Sequence, residues 1–141
     1  FSCMFRNCEK FDQDLASWNV ANGVSFSNMF NGCYLFNRNL DPWDVAKAKT
    51  MQAMFFRCDA FSQPLASWQV GRVDDFSQMF ENCASVAQDI SSWNVNETAS
   101  LHGMFADCKA FDCDLSSWNI SEPRRASMFP LPLLQVRCRD W

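Results

Sequence analysis

Four apolar side chains, Phe26, Met29, Phe30 and Cys33, stand at i, i+3, i+4 and i+7 along the chain. That spacing lines one face of a helix and predicts a short one. The stripe returns at Phe1/Met4/Phe5/Cys8, Met51/Met54/Phe55/Cys58, Phe76/Met79/Phe80/Cys83 and Leu101/Met104/Phe105/Cys108. Just ahead of it stand Ser25, Thr50, Asp75 and Ser100, whose side-chain oxygens suit an N-cap. Further along each stretch the pattern changes to alternation. Trp18-Asn19-Val20, with counterparts beginning at Trp43, Trp68, Trp93 and Trp118, reads as a short strand with Trp and Val inward. Pro42 and Pro64 lie beside two of these runs and limit ladder pairing there, since proline has no N–H to give.

Every one of these features recurs at a step of 25 residues without insertion. Leu15, Leu40, Leu65, Ile90 and Leu115 keep step, as do Phe11, Phe36, Phe61, Val86 and Phe111. The pattern therefore predicts an α/β repeat solenoid over 1–123, with coils 1–25, 26–50, 51–75, 76–100 and 101–123, each a short helix plus a short parallel strand. One unit alone does not hold. Its apolar side chains are worth about 1.5–3 kcal/mol each when fully buried. Ordering the unit costs on the order of 1.5 kcal/mol per residue. Neighbouring units supply the missing burial, so stability is expected at the interfaces between them. The segment 124–141 leaves the register: Met128-Phe129 arrives one residue early, Arg125 stands at the cap position, and Pro130 and Pro132 interrupt a helix. A cap, a linker and a damaged end are all compatible with it.

Composition narrows the function classes. A formal charge of −4 suits a phosphate backbone poorly, so nucleic acid is not the expected partner. No apolar run is long enough to span a membrane. The chain opens with no basic n-region or signal peptide, which gives it the look of a fragment, with further repeats of the same chain expected.

The run Met-Phe-x-x-Cys-x-x-Phe-x-Gln-Asp-Leu-x-Ser-Trp-Asn-Val, seen at residues 4–20 and again, with substitutions, at 79–95 and 104–120, resembles the repeat of BspA-like leucine-rich-repeat surface proteins. In particular it is similar to their 25-residue mycoplasma-lipoprotein-type branch, a domain of unknown function. The resemblance covers about residues 1–122. It implies a leucine-rich-repeat-like solenoid, a cell-surface or secreted setting, and adhesive or recognition roles. It brings no catalytic residue.

Candidate chemistry is sparse. Cys8, Cys33, Cys58, Cys83 and Cys108 fall on the apolar stripe, where a thiol acts as a small hydrophobe, and one cysteine per unit offers no converging metal set. Cys113 and Cys138 are 25 residues apart. They are either a closing disulfide or two unrelated thiols, and the disturbed register favours the second. Acidic and amide pairs such as Asp12/Asp14, Asn37/Asn39 and Asp112/Asp114 suit Asx turns better than calcium, because the middle units lack the oxygens. His102 is the only histidine, which leaves general-base catalysis little to work with. No cofactor, metal or catalytic residue is expected, and the chain is read as a non-enzyme. The candidate ligand face is the outward strip Ser17, Asn19, Asp44, Ser67, Gln69, Ser92, Asn94, Ser117 and Asn119, whose hydroxyl and amide groups suit a protein or glycan ligand. The alternative is a passive spacer or stalk with no ligand of its own.

Overall fold

In the computed structural model, which describes residues 1–129, the apolar stripes do not coil into helices. The one α-helix among the described residues is α1, Glu122–Ser127, which begins at the very end of the fifth unit and runs into the divergent segment. The helix of each unit is replaced by consecutive tight turns. Met29 N–H donates to the Phe26 carbonyl at 3.1 Å and Cys33 N–H to the Phe30 carbonyl at 2.9 Å. The third residue of each turn is left-handed, Asn28 at φ 58° and Gly32 at φ 76°, the mark of type II geometry. Cys3/Asn7, Ala53/Arg57, Gln78/Asn82 and Gly103/Asp107 hold the same two places in the other units. A right-handed helix cannot accommodate a left-handed residue at every fourth position. The turns nevertheless reproduce helical spacing, because each leaves two residues between inward pairs, giving Phe26, then Met29-Phe30, then Cys33.

The remaining N–H groups go to the next unit. Phe26, Asn28, Phe30 and Gly32 donate to the carbonyls of Thr50, Gln52, Met54 and Phe56 at 3.0, 2.8, 2.9 and 2.8 Å. The pattern continues from Met51, Ala53, Phe55 and Arg57 to Asp75, Ser77, Met79 and Glu81. Alternate N–H groups thus close turns within a unit and tie that unit to its successor. Ser25, Thr50, Asp75 and Ser100, expected as N-caps, cap no helix but form the only β pairing among the described residues, three isolated parallel bridges, while Thr50 Oγ1 and Asp75 Oδ1 accept the N–H two residues on at 3.3 and 2.8 Å.

The expected strands are also absent from the described residues. Trp43 N–H closes a turn on the Leu40 carbonyl at 3.0 Å, and Trp68, Trp93 and Trp118 close the equivalent turns on Leu65, Ile90 and Leu115. A backbone N–H spent inside a turn is lost to a ladder. The leucine-rich-repeat-like solenoid of helix plus parallel strand is therefore corrected to units of successive turns, with no sheet in them and no helix ahead of Glu122.

The side chains inside these turns lie in lines. Phe30, Phe55, Phe80 and Phe105 stack face to face at 5.6, 5.5 and 5.8 Å. Phe36 lies 6.0 Å from Phe61. Trp68, Trp93 and Trp118 follow at 6.3 Å per step. Offset stacking at such separations adds about 0.5–1.5 kcal/mol per pair beyond burial. At the far end, Gly103 N–H donates to Ser127 O at 2.8 Å and Phe105 N–H to Met128 O at 3.1 Å. The second bond spans one residue less than its counterparts, which is the register slip seen in the sequence. Met128 is fully buried, Phe129 stacks on Phe105 at 5.9 Å, and the Arg124 guanidinium donates to the Ala99 carbonyl. Up to Phe129, the divergent segment covers the fifth unit.

Candidate functional site

Two side-chain types lock each unit to the one before it, and they use the same device. Cys33, Cys58, Cys83 and Cys108 donate S–H to the carbonyls of Phe5, Phe30, Phe55 and Phe80 at 3.0, 3.0, 2.8 and 2.8 Å. Trp43, Trp68, Trp93 and Trp118 donate Nε1–H to the carbonyls of Leu15, Leu40, Leu65 and Ile90 at 2.9, 2.9, 2.9 and 3.3 Å. Each of these carbonyls already accepts an N–H from its own turn: Phe30 O takes Cys33 N–H, and Leu40 O takes Trp43 N–H. Both lone pairs of a buried carbonyl are thereby used. A cysteine at this place is thus a buried donor as well as a small hydrophobe. Burial pushes the Cys33 and Cys108 thiols up to about 12 and raises Cys58 and Cys83 well above the ordinary range. A buried thiol held protonated is a poor nucleophile. The column is a structural lock.

The nine residues of the expected ligand face are all exposed: Ser17, Asn19, Asp44, Ser67, Gln69, Ser92, Asn94, Ser117 and Asn119. The structure brings some of them together. Asp44, Ser67 and Gln69 line one shallow groove of about 390 Å³ with Asp41, Pro42 and Val45. Ser92 and Ser117 line another, of about 510 Å³, with Asp89, Asp112, Cys113 and Asp114. Ser17, Asn19, Asn94 and Asn119 border neither groove.

Much of the polar chemistry on this face is already engaged. Ser67 Oγ donates to Asp41 Oδ2 at 2.7 Å, Ser92 Oγ to Ala66 O at 3.2 Å and Ser117 Oγ to Ser91 O at 2.8 Å. Asn19 Oδ1 and Asp44 Oδ1 accept the N–H of Ala21 and Ala46. The side-chain amides of Asn94 and Asn119 make no hydrogen bond within the described residues. Sequence reasoning missed Asp41, which accepts both the N–H and the hydroxyl of Ser67 across a unit boundary. Its signal was slight, since Asp41 belongs to no repeated acidic column.

In the acidic and amide pairs the second member closes a turn, while Asp12 and Asn37, first members, accept the N–H of Asn37 and Ser62 in the following unit, each at 3.0 Å. Asp14, Asn39, Asp89 and Asp114 each accept the backbone N–H two residues on, at 2.9, 3.0, 2.9 and 2.8 Å. Hydrogen bonds from the Ser91 hydroxyl and N–H hold the Asp89 carboxyl below its usual range, and those from the Ser116 N–H and hydroxyl do so for Asp114. Among the described residues no group of His, Cys, Asp and Glu is arranged to hold a metal ion. Cys113 is half-buried, its thiol 3.5 Å from Asp89 Oδ1 and raised by burial, whereas Cys138, its suggested disulfide partner, lies outside the described residues. No helix among the described residues is long and apolar enough to cross a membrane.

Interlocked units with shared carbonyls define a tandem-repeat protein. A family model described as Mycoplasma protein of unknown function, DUF285, matches residues 1–88 and 48–131, and the chain belongs to that family. No curated protein and no solved structure matches it.

Proposed function

We propose that the chain is a cell-surface or secreted recognition module that binds a protein or glycan across its exposed amide-bearing face. The observation that carries this reading is the row Asn19, Asp44, Gln69, Asn94 and Asn119, exposed at one phase of the repeat. Its amide groups offer donors and acceptors at regular intervals, which suits an extended ligand bound by area. The likeness of the repeat to BspA-like surface proteins supports the surface setting. An enzyme is not proposed, because the buried thiols are held protonated and His102, the sole histidine, stands alone and exposed.

The test is binding of the purified chain to protein and glycan arrays. Asn19→Lys, Gln69→Lys, Asn94→Lys and Asn119→Lys together should weaken any captured ligand by about tenfold or more while leaving the melting temperature in place. Undiminished binding by the folded variant would exclude this face. A second reading, a passive stalk, draws on the Ser67, Ser92 and Ser117 hydroxyls, which the preceding units already engage. It predicts blank arrays.

A further inference from the structure

Cysteine never varies at its place in the turns, but the residue on either side of it changes between adjacent units. Stacking gathers these changing residues around one open groove of about 510 Å³. Asn82 and Ala84 of the fourth unit lie between Arg57 and Asp59 of the third and Asp107 and Lys109 of the fifth. The second unit adds Tyr34, the single tyrosine of the chain. The turns themselves do not require these side chains. Arg57 stands at a left-handed place, φ 58°, that Gly32 holds in the unit before, so a long side chain there carries a backbone cost the fold does not ask for. Its guanidinium lies over the Phe56 ring, 5.4 Å from the centroid, and makes no hydrogen bond or ion pair among the described residues. The Tyr34 hydroxyl, the Asn82 amide and the Asp59 and Asp107 carboxylates make no hydrogen bond there either. The two grooves on the amide-bearing face differ, since Ser67, Asp41, Asp89 and Ser117 in them are already bonded to their own chain.

We propose that the groove around Asn82 and Ala84 is a binding site for a carboxylate-bearing pyranose, the chemistry of a hexuronic acid residue in a glycan. Each group present has a counterpart on such a sugar. A guanidinium pairs with a carboxylate through two parallel N–H bonds, which is the role of Arg57. Aspartate oxygens accept from sugar hydroxyls, and the Asn82 amide both donates and accepts. The Tyr34 ring offers its electron-rich face to the C–H side of the pyranose. Arg57 and Lys109 balance Asp59 and Asp107 in formal charge, so an entering carboxylate meets no net repulsion. Ala84 keeps the floor low where Asp59 and Lys109 hold the same place in the adjoining units. A peptide anchor needs an apolar pocket, and Tyr34 and Ala84 are the only apolar residues lining this groove. None of the nine residues of the outward strip lines it, so the inference goes beyond the reading of that face and stands apart from it.

The experiment titrates the isotope-labelled chain with methyl β-D-glucuronide and, separately, with methyl β-D-glucoside, following backbone amide shifts by NMR. The glucuronide should move the amides of Tyr34, Asn82 and Ala84 and bind at least about tenfold more tightly than the glucoside. Arg57→Gln should bring the glucuronide down to the level of the glucoside and leave the glucoside where it was. Ala84→Leu should fill the floor and remove binding of both sugars. Arg57 and Ala84 are exposed, so the melting temperature should hold in both variants. If Ala84→Leu nevertheless unfolds the chain, Tyr34→Leu takes its place and should weaken both sugars alike. The proposal fails if the glucuronide moves no amide of the groove, if the two sugars bind equally, or if acetate competes as well as the glucuronide. It fails equally if Arg57→Gln leaves the preference intact. The lysine variant of the amide-bearing face should bind the glucuronide undiminished, and loss of binding there would place the sugar on that face instead.

Discussion

Within each unit, the turn ribbon at 26–33 and the indole corner at 40–48 are held to their neighbours by different means. In the ribbon, alternate backbone N–H groups reach the next unit, stacked phenyl rings fill the space beside them, and one cysteine S–H per unit reaches back. In the indole corner the backbone bonds among the described residues stay within the unit, and the boundary is crossed by Trp Nε1, by the stacked indoles and by surface side chains such as Asp41. A backbone bond tolerates any non-proline side chain at its own position. A side-chain bond needs its own residue in every copy. The tryptophan column thus holds five of five positions, while the ribbon's left-handed places admit Cys, Asn, Ala, Arg, Gln, Asp and Gly.

That contrast can be tested, beginning where the effect is largest. Phe55 is fully buried between Phe30 and Phe80, and Phe55→Ala should cost about 3–5 kcal/mol in urea unfolding. A cost below that of an indole-corner substitution would reverse the order of the two regions. Alkaline stability comes next. The buried thiols all lie in the ribbon, and burial holds off their ionisation from an ordinary value of 9.0 to about 12 for Cys33 and raises it well above the ordinary range for Cys58. Between those values the unfolded chain has lost protons that the folded chain keeps, so stability falls as pH rises from about 9 towards 12. Each thiol contributes at most about 1.4 kcal/mol per pH unit. Cys58→Ala should flatten that slope relative to the parent, and an unchanged slope would show that the thiols do not set it.

Trp68→Phe should cost about 1–2 kcal/mol, because the indole bond to Leu40 is lost while that carbonyl keeps the Trp68-independent N–H of Trp43. A cost near that of Phe55→Ala would mean the indole corner carries more than its side-chain bonds. Last, Ala53 is left-handed at φ 51° where the fifth unit has Gly103 at φ 64°. Ala53→Gly should leave stability unchanged or raise it by up to about 1 kcal/mol, whereas Gly103→Ala should lower it by a similar amount. If both substitutions destabilise equally, backbone strain does not govern the ribbon.

Several features were legible from residues alone. The repeat step and the burial of Trp43, Phe55 and Cys58 follow from columns that stay in phase. The conformation within each unit was misread, for a specific reason. Spacing of i, i+3, i+4 and i+7 is shared by a helix and by two successive type II turns, and periodicity cannot separate them. The separating signal was chemical: Asn7, Asn28, Gly32, Asn82 and Gly103 stand at the left-handed places, and such residues favour positive φ. Ala53, Arg57 and Gln78 at the same places obscured it. The outward strip was legible as polar, but the engagement of its serines with Asp41, Ala66 and Ser91 was not, because those partners lie 26 residues away.

The sequence by itself determined that identical units must lie against one another, since no single unit can bury its aromatic side chains. Only the tertiary structure decided how the chain turns within a unit and which carbonyl each thiol and indole reaches. The turns close on bonds three residues apart, but the N–H groups they leave over and the thiol and indole donors find partners only 24 to 28 positions away, once the neighbouring unit is in place.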